Sequence, residues 1–179
     1  MGKTYFSGCL LNSKKIAMIP KIEDLPKLAK NAKTNTEKLF NKLRRTQPKH
    51  LDATVQEIHD EVFSTVDCLS CANCCKTTSP IFYQKDIERL AKLFRIKPSY
   101  FIEQYLHLDE DKDYVLNVAP CTFLGEDNYC TVYEHRPNAC REYPHTDRKR
   151  FYQVLEITLR NTAVCPAAFE IVEKLKKVM

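Results

Sequence analysis

Glycine is almost missing from this chain: Gly2, Gly8 and Gly125 are the only three among 179 residues. A loop that cradles phosphate needs several glycines close together, so no nucleotide-binding loop of that kind is encoded. So few glycines beside so many helix formers disfavour a strand-rich sandwich and favour helices. No apolar run nears the ~20 residues of a membrane-spanning helix. The order of Ser, His and Asp residues suggests no hydrolase triad.

Upstream of residue 68 stands a single cysteine, Cys9. Phe6-Ser7-Gly8-Cys9 looks like a lipoprotein cleavage site, but such a signal needs an apolar core of roughly 7–15 residues ahead of it. Only Met1 to Gly8 precede Cys9, and they include Lys3 and Tyr5. Phe6 also stands where myristoylation wants Ser or Thr. The chain therefore reads as cytoplasmic, without a membrane partner, and Cys9 as incidental. In that reducing compartment clustered cysteines are ligands or catalysts before they are disulfides.

The formal charge of +5 comes from 28 Lys and Arg against 23 Asp and Glu. It treats the thiols as neutral. Eight thiolates around two divalent ions would remove four charges and leave about +1. Lys42-Leu43-Arg44-Arg45 and Arg148-Lys149-Arg150 could meet phosphate, yet acids are interspersed and such runs are ordinarily solvated faces. Nucleic acid is the minor reading of the basic balance.

Cysteine is what the second half of the chain has in excess. Cys68, Cys71, Cys74 and Cys75 fall within eight residues, and Cys121, Cys130, Cys140 and Cys165 follow. Crowded thiols repel once ionised, so a cation must hold them together. Steps of three let Cys68, Cys71 and Cys74 aim at one centre about 2.3 Å away. Cys75 then either serves a second centre with downstream cysteines or is spare. Four thiolates suit zinc or iron, including a four-iron four-sulfur cluster, in one or two centres. A thioredoxin-like redox pair lacks its strand–helix setting here. Any one downstream cysteine alone could be simply buried. His135 and His145 lie near these cysteines and could serve as ligands or as donors to sulfur, although a loop histidine is the commoner case. No catalytic residue stands out among the nearby acids Glu134, Glu142 and Asp147.

The expected fold class is α+β, mainly helical. Residues 1–33 read as irregular, with Pro20 and Pro26 as interruptions and Ile16 to Ile19 as a short strand or anchor. Met18 is a conceivable alternative start. Residues 34–66 read as a helical hairpin. Thr34 and Glu37 suggest a capping box that opens its first helix, which runs to Thr46. Leu51, Val55, Ile58, Val62 and Val66 form the apolar stripe of the second. Residues 67–179 read as a cysteine-cluster metal-binding domain, with 34–179 as one folding unit. Within it, helices are expected over 86–94, over 98–108 and from Pro166 onward. A short antiparallel sheet is expected to carry Cys121 and Cys130 on neighbouring strands. Residues 151–159 fit strand or helix.

Cys68-x2-Cys71-x2-Cys74-Cys75, Pro120-Cys121-Thr122-Phe123-Leu124, Cys130 through Pro137 and Cys140-Arg141-Glu142-Tyr143-Pro144 together resemble the YkgJ-type cysteine-cluster family, known for its CxxCxxCC signature. The likeness covers 68 to about 166. It implies zinc or iron chelation by Cys68, Cys71, Cys74, Cys75, Cys121, Cys130, Cys140 and Cys165. Arg136, Pro137, Arg141 and Pro144 match its other signature positions, and the two arginines could donate to sulfur or pair with acids. A related region occurs in flagellin lysine N-methylases, but this chain has little room for a methyl-donor domain. Three functions are therefore open. The leading one is metal binding that holds the fold together. The others are an iron or iron–sulfur enzyme acting on a protein side chain or small molecule, and an RNA- or protein-binding adaptor using the basic face at 37–49.

Overall fold

Helix α1, Leu25–Thr46, lays Leu25, Ala29, Thr36, Phe40 and Leu43 along one buried stripe and exposes its lysines. In the computed structural model, which describes residues 19–179, it starts at Leu25 and not at Thr34. Pro26 is the reason: in the first helical turn its missing N–H costs nothing and its φ is already helical. Part of the stretch expected to be irregular is therefore helix, and Thr34 sits exposed inside it. Buried Thr36 satisfies its hydroxyl on the carbonyl of Ala32, 3.0 Å away. Gln47 ends α1 in the left-handed region, its N–H on Leu43 O at 2.8 Å, and Pro48 follows. The lipoprotein-like tetrapeptide, Cys9 and residues 16–18 of the expected apolar strand lie outside the described residues.

Helix α2, Leu51–Phe63, buries the expected Leu51, Val55, Ile58 and Val62. Its Asp52 carboxylate accepts the backbone N–H groups of Arg150 and Phe151 at 2.7 and 3.0 Å, tying the helix to a segment a hundred residues on. Two short helices carry the cysteine cluster, α3 at Cys68–Cys71 and α4 at Asn73–Thr77. Then come α5, Gln84–Phe94, and α6, Pro98–Tyr105.

The sheet differs from expectation. Strand β1, Leu106–Leu108, pairs antiparallel with β2, Tyr114–Leu116, with Leu106 opposite Leu116. Leu106 to Leu108 were expected to continue the helix from Pro98. Cys121 and Cys130 lie outside the sheet, joined through a turn by one isolated bridge between Leu124 and Cys130. Gly125 sits in that turn because a Cβ there would come within 2.7 Å of Asp127 Oδ1 and 3.2 Å of Tyr129 O. Beyond it, α7 spans Asn138–Glu142, and residues 151–161 resolve to a 3-10 turn followed by α8, Leu155–Asn161. Helix α9, Pro166–Val178, packs against both α1 and α2, so the N-terminal pair closes on the C-terminal helix.

Two cores result. The first gathers Phe40, Leu43, Leu51, Val55, Phe151, Leu155, Ile171 and Leu175 from α1, α2, α8 and α9, with Cys165 among them. The second gathers Phe82, Ile87, Leu90, Phe101, Leu106, Leu116 and Phe123, with Cys121 and Cys130 packed at its edge. Mainly helical α+β is the fold class. Among the described residues no helix is long and apolar enough to cross a membrane.

Candidate metal centre

The cluster loop begins at Asp67, whose carboxylate caps α3 by accepting Leu69 N–H at 2.9 Å. After one turn Ala72 takes a left-handed conformation (φ 48°), its N–H on Cys68 O at 2.9 Å, and α4 starts in a new direction. A non-glycine residue pays about 1 kcal/mol or more for that conformation, and burial of its methyl group partly offsets the strain. Cys74 and Cys75 both follow the bend, on α4. Cys74 joins Cys68, Cys71 and Cys165 around a cavity of about 30 Å³, closed by Val66, Ala72, Asn73, Tyr143, Val164 and Pro166. The Cys75 carbonyl instead accepts Cys121 N–H at 2.8 Å. Asn73 anchors the other side, donating to Val164 O at 2.7 Å.

The electrostatics run through the whole group, with Cys75 acting on Cys68 and Cys74 as well as on Cys121, Cys130 and Cys140. Burial, then the charges of Cys75, Cys121 and Cys130, pushes Cys140 up to about 12. Cys121 is pushed up to about 11 by burial, partly relieved by the Phe123 amide, with Cys75 and Cys130 adding repulsion. Cys130 rises through burial, against the Val132 amide and the Arg136 charge. Cys165 is pushed up to about 12 by burial, then by Cys68 and Cys71, against the Ala168 and Ala167 amides. Cys68 rises through burial and the charges of Cys71, Asp67 and Cys75. The Cys74 and Cys75 sulfurs stand 4.0 Å apart and share a hydrogen bond. It holds Cys74 protonated and, with help from Lys76, draws Cys75 down to about 7.

Cys165 occupies the N-cap of α9, where its sulfur accepts Ala168 N–H at 3.4 Å. A thiolate there also gains from the helix dipole. All eight described cysteines are free thiols. Among the described residues no three or more His, Cys, Asp and Glu side chains already stand in metal-holding positions, so closing on an ion requires side-chain rotation. The donor set itself fits a thiophilic ion. Sulfur and hydrocarbon make the cavity wall, and no carboxylate competes there. Cys68, Cys71, Cys74 and Cys165 would hold one such centre, and Cys75, Cys121, Cys130 and Cys140 another.

The two signature arginines behave differently from expectation. Arg141 donates Nε to Arg136 O at 3.2 Å and Nη2 to Glu134 O, bracing backbone and not sulfur or acid. Arg136 stacks 3.7 Å over the Tyr133 ring while its charge favours the Cys130 and Cys140 thiolates. His135 contributes its carbonyl to Arg89 Nε at 3.1 Å. Buried His145 finds no hydrogen-bond partner for Nδ1 among the described residues, Glu142 Oε2 lying 3.7 Å off. Burial depresses its pKa.

Sequence reasoning missed Asp86 and Arg89. Asp86 is fully buried, accepting Tyr83 N–H at 3.1 Å, Asn138 N–H at 3.2 Å and Arg89 Nη2 at 2.6 Å. Arg89 also reaches Arg136 O at 2.8 Å. This pair holds the start of α7, and hence Cys140, from a helix fifty residues earlier. The only local signal was an acid and an arginine three apart on a helix, a spacing common on exposed faces.

Residues 67–165, more than half the chain, match the model of the CxxCxxCC family, described as "Putative zinc- or iron-chelating domain". The chain belongs to that family. Neither the curated proteins nor the solved structures contained a match to it.

Proposed function

We propose that this protein chelates zinc or iron in two neighbouring four-sulfur centres, one of Cys68, Cys71, Cys74 and Cys165, the other of Cys75, Cys121, Cys130 and Cys140. The cavity lining carries this reading: Cys74 stands with Cys68, Cys71 and Cys165 in the wall and Cys75 does not, its carbonyl being held by the Cys121 N–H. Four sulfurs fill a tetrahedral shell, which supports centres that hold the fold in preference to one kept open for exchange or catalysis. Unoxidised thiols of this number suit a reducing cytoplasm. Anaerobic purification, metal analysis and visible absorption test the proposal. Two zinc per chain without colour, or brown protein with acid-labile sulfide, supports it. Cys165→Ser and Cys130→Ser are each expected to lose one centre, and a pattern in which both substitutions empty the same centre rejects the division.

The adaptor reading has one observation of its own. Helix α1 carries seven basic residues against Glu37 alone, more net positive charge than the whole chain's +5. Lys27, Lys38 and Arg45 line its solvent face opposite the buried stripe. RNA binding through this face would weaken with salt at a log–log slope of roughly −0.7 per phosphate neutralised. Binding unaffected by Lys38→Glu and Arg45→Glu would dismiss it.

A further inference from the structure

Tyr143 closes the cavity shared by Cys68, Cys71, Cys74 and Cys165, its ring packed against the first core. Its hydroxyl is shielded from solvent and has no hydrogen-bond partner among the described residues. A buried O–H without an acceptor is destabilising, and natural chains rarely retain one without a use. Phenylalanine would fill the same space without that cost. The cavity wall offers the hydroxyl sulfur and hydrocarbon. A protonated thiol is a weak acceptor, whereas a thiolate on a metal accepts strongly.

We propose that Tyr143 is a positioning residue for the first centre, donating its hydroxyl proton in a hydrogen bond to a cysteine sulfur of that set once the set is ionised on metal. The inference rests on reading these four cysteines as ligands. It gives the two centres different surroundings. The second set has the Phe123 and Val132 amides and the Arg136 charge nearby. The first has the Ala168 amide and the tyrosine. The charges of Cys165, Cys74, Cys71 and Cys68 all bear on the Tyr143 hydroxyl, in keeping with its place among them.

The test compares the full chain with Tyr143→Phe, titrated with Co²⁺ and Zn²⁺ against a chromophoric chelator. The expected result has three parts. One of two metal equivalents binds about tenfold more weakly, in line with the loss of a donor behind a ligand. The cobalt–thiolate absorption of that equivalent shifts. The metal-free variant melts no lower than the parent, because an unpaired hydroxyl has been removed. Unchanged affinity and absorption overturn the proposal and leave chelation standing. A lower metal-free melting temperature with equal losses at both equivalents also overturns it, since Tyr143 would then be structural. A parent chain that binds neither ion removes the chelation reading and this inference together.

Discussion

The core around Phe151 and Leu175 and the core around Phe101 and Phe123 solve the burial problem with different materials. The first assembles long helices from both ends of the described chain, mostly with aliphatic side chains and with α9 against α1 and α2. The second is drawn from residues 82–132 alone. It stacks Phe94, Phe101, Tyr105 and Phe123 with ring centroids 4.9 to 6.2 Å apart and has a sheet of two three-residue strands. A helical core carries its own backbone hydrogen bonds; turns between short elements do not. Cys165 sits in the first core, Cys121 and Cys130 at the edge of the second, and the cluster loop bonds to both halves.

The contrast is testable, and the largest effect should come from stripping the metal. Structural thiolate centres contribute on the order of 10 kcal/mol of folding free energy. Chelation at neutral pH is expected to abolish amide-exchange protection across residues 117–140 while α2 and α9 stay protected. Equal loss everywhere would show that the helical core also depends on metal. Next, Leu175→Ala in the first core should cost about 3 kcal/mol or more by denaturant titration with metal present. Asp86→Ala should cost about 3 kcal/mol, because it leaves Arg89 without its buried partner, and should loosen metal at the Cys140 centre but not at the Cys165 centre.

Two smaller effects separate the cores further. Cys121, Cys140 and Cys165 are raised from near 9 to about 11, 12 and 12. In the metal-free chain the folded state therefore holds their protons more tightly than the unfolded state does. Their contribution is whole below pH 9 and is lost as pH climbs from 9 to 12. A pH series of melting temperatures should fall across that window, and serine at all three positions should make the fall shallower. Gly125→Ala should cost about 1 kcal/mol, since the added Cβ crowds Asp127 and the cap it gives Tyr129 at 3.0 Å.

How far the sequence could be read follows from the same contrast. In α2 the apolar spacing alone identified Leu51, Val55, Ile58 and Val62, because periodicity records a helix packed on one side. The cysteines were legible as a set for a similar reason, since their chemistry restricts what they can do. At α1, Pro26 reads as an interruption but sits in the first turn as an initiator, and the Thr34–Glu37 spacing imitates a cap inside a continuing helix. For residues 106–108 the tertiary pairing with Tyr114–Leu116 overrode the helical continuation from Pro98. The association of Cys165 with Cys74, and the place of Tyr143 beside the same cavity, depend on contacts across some seventy to ninety residues that no local pattern encodes.

Ala72 shows how much of the arrangement of these sulfurs rests on one backbone conformation. Were its backbone right-handed, α3 and α4 would fuse into one continuous rod. At about 100° per residue, Cys68, Cys71 and Cys75 would then share a stripe, with Cys74 turned roughly a quarter-circle aside. One flipped dihedral pair would thus regroup the four sulfurs of the cluster about the helix axis.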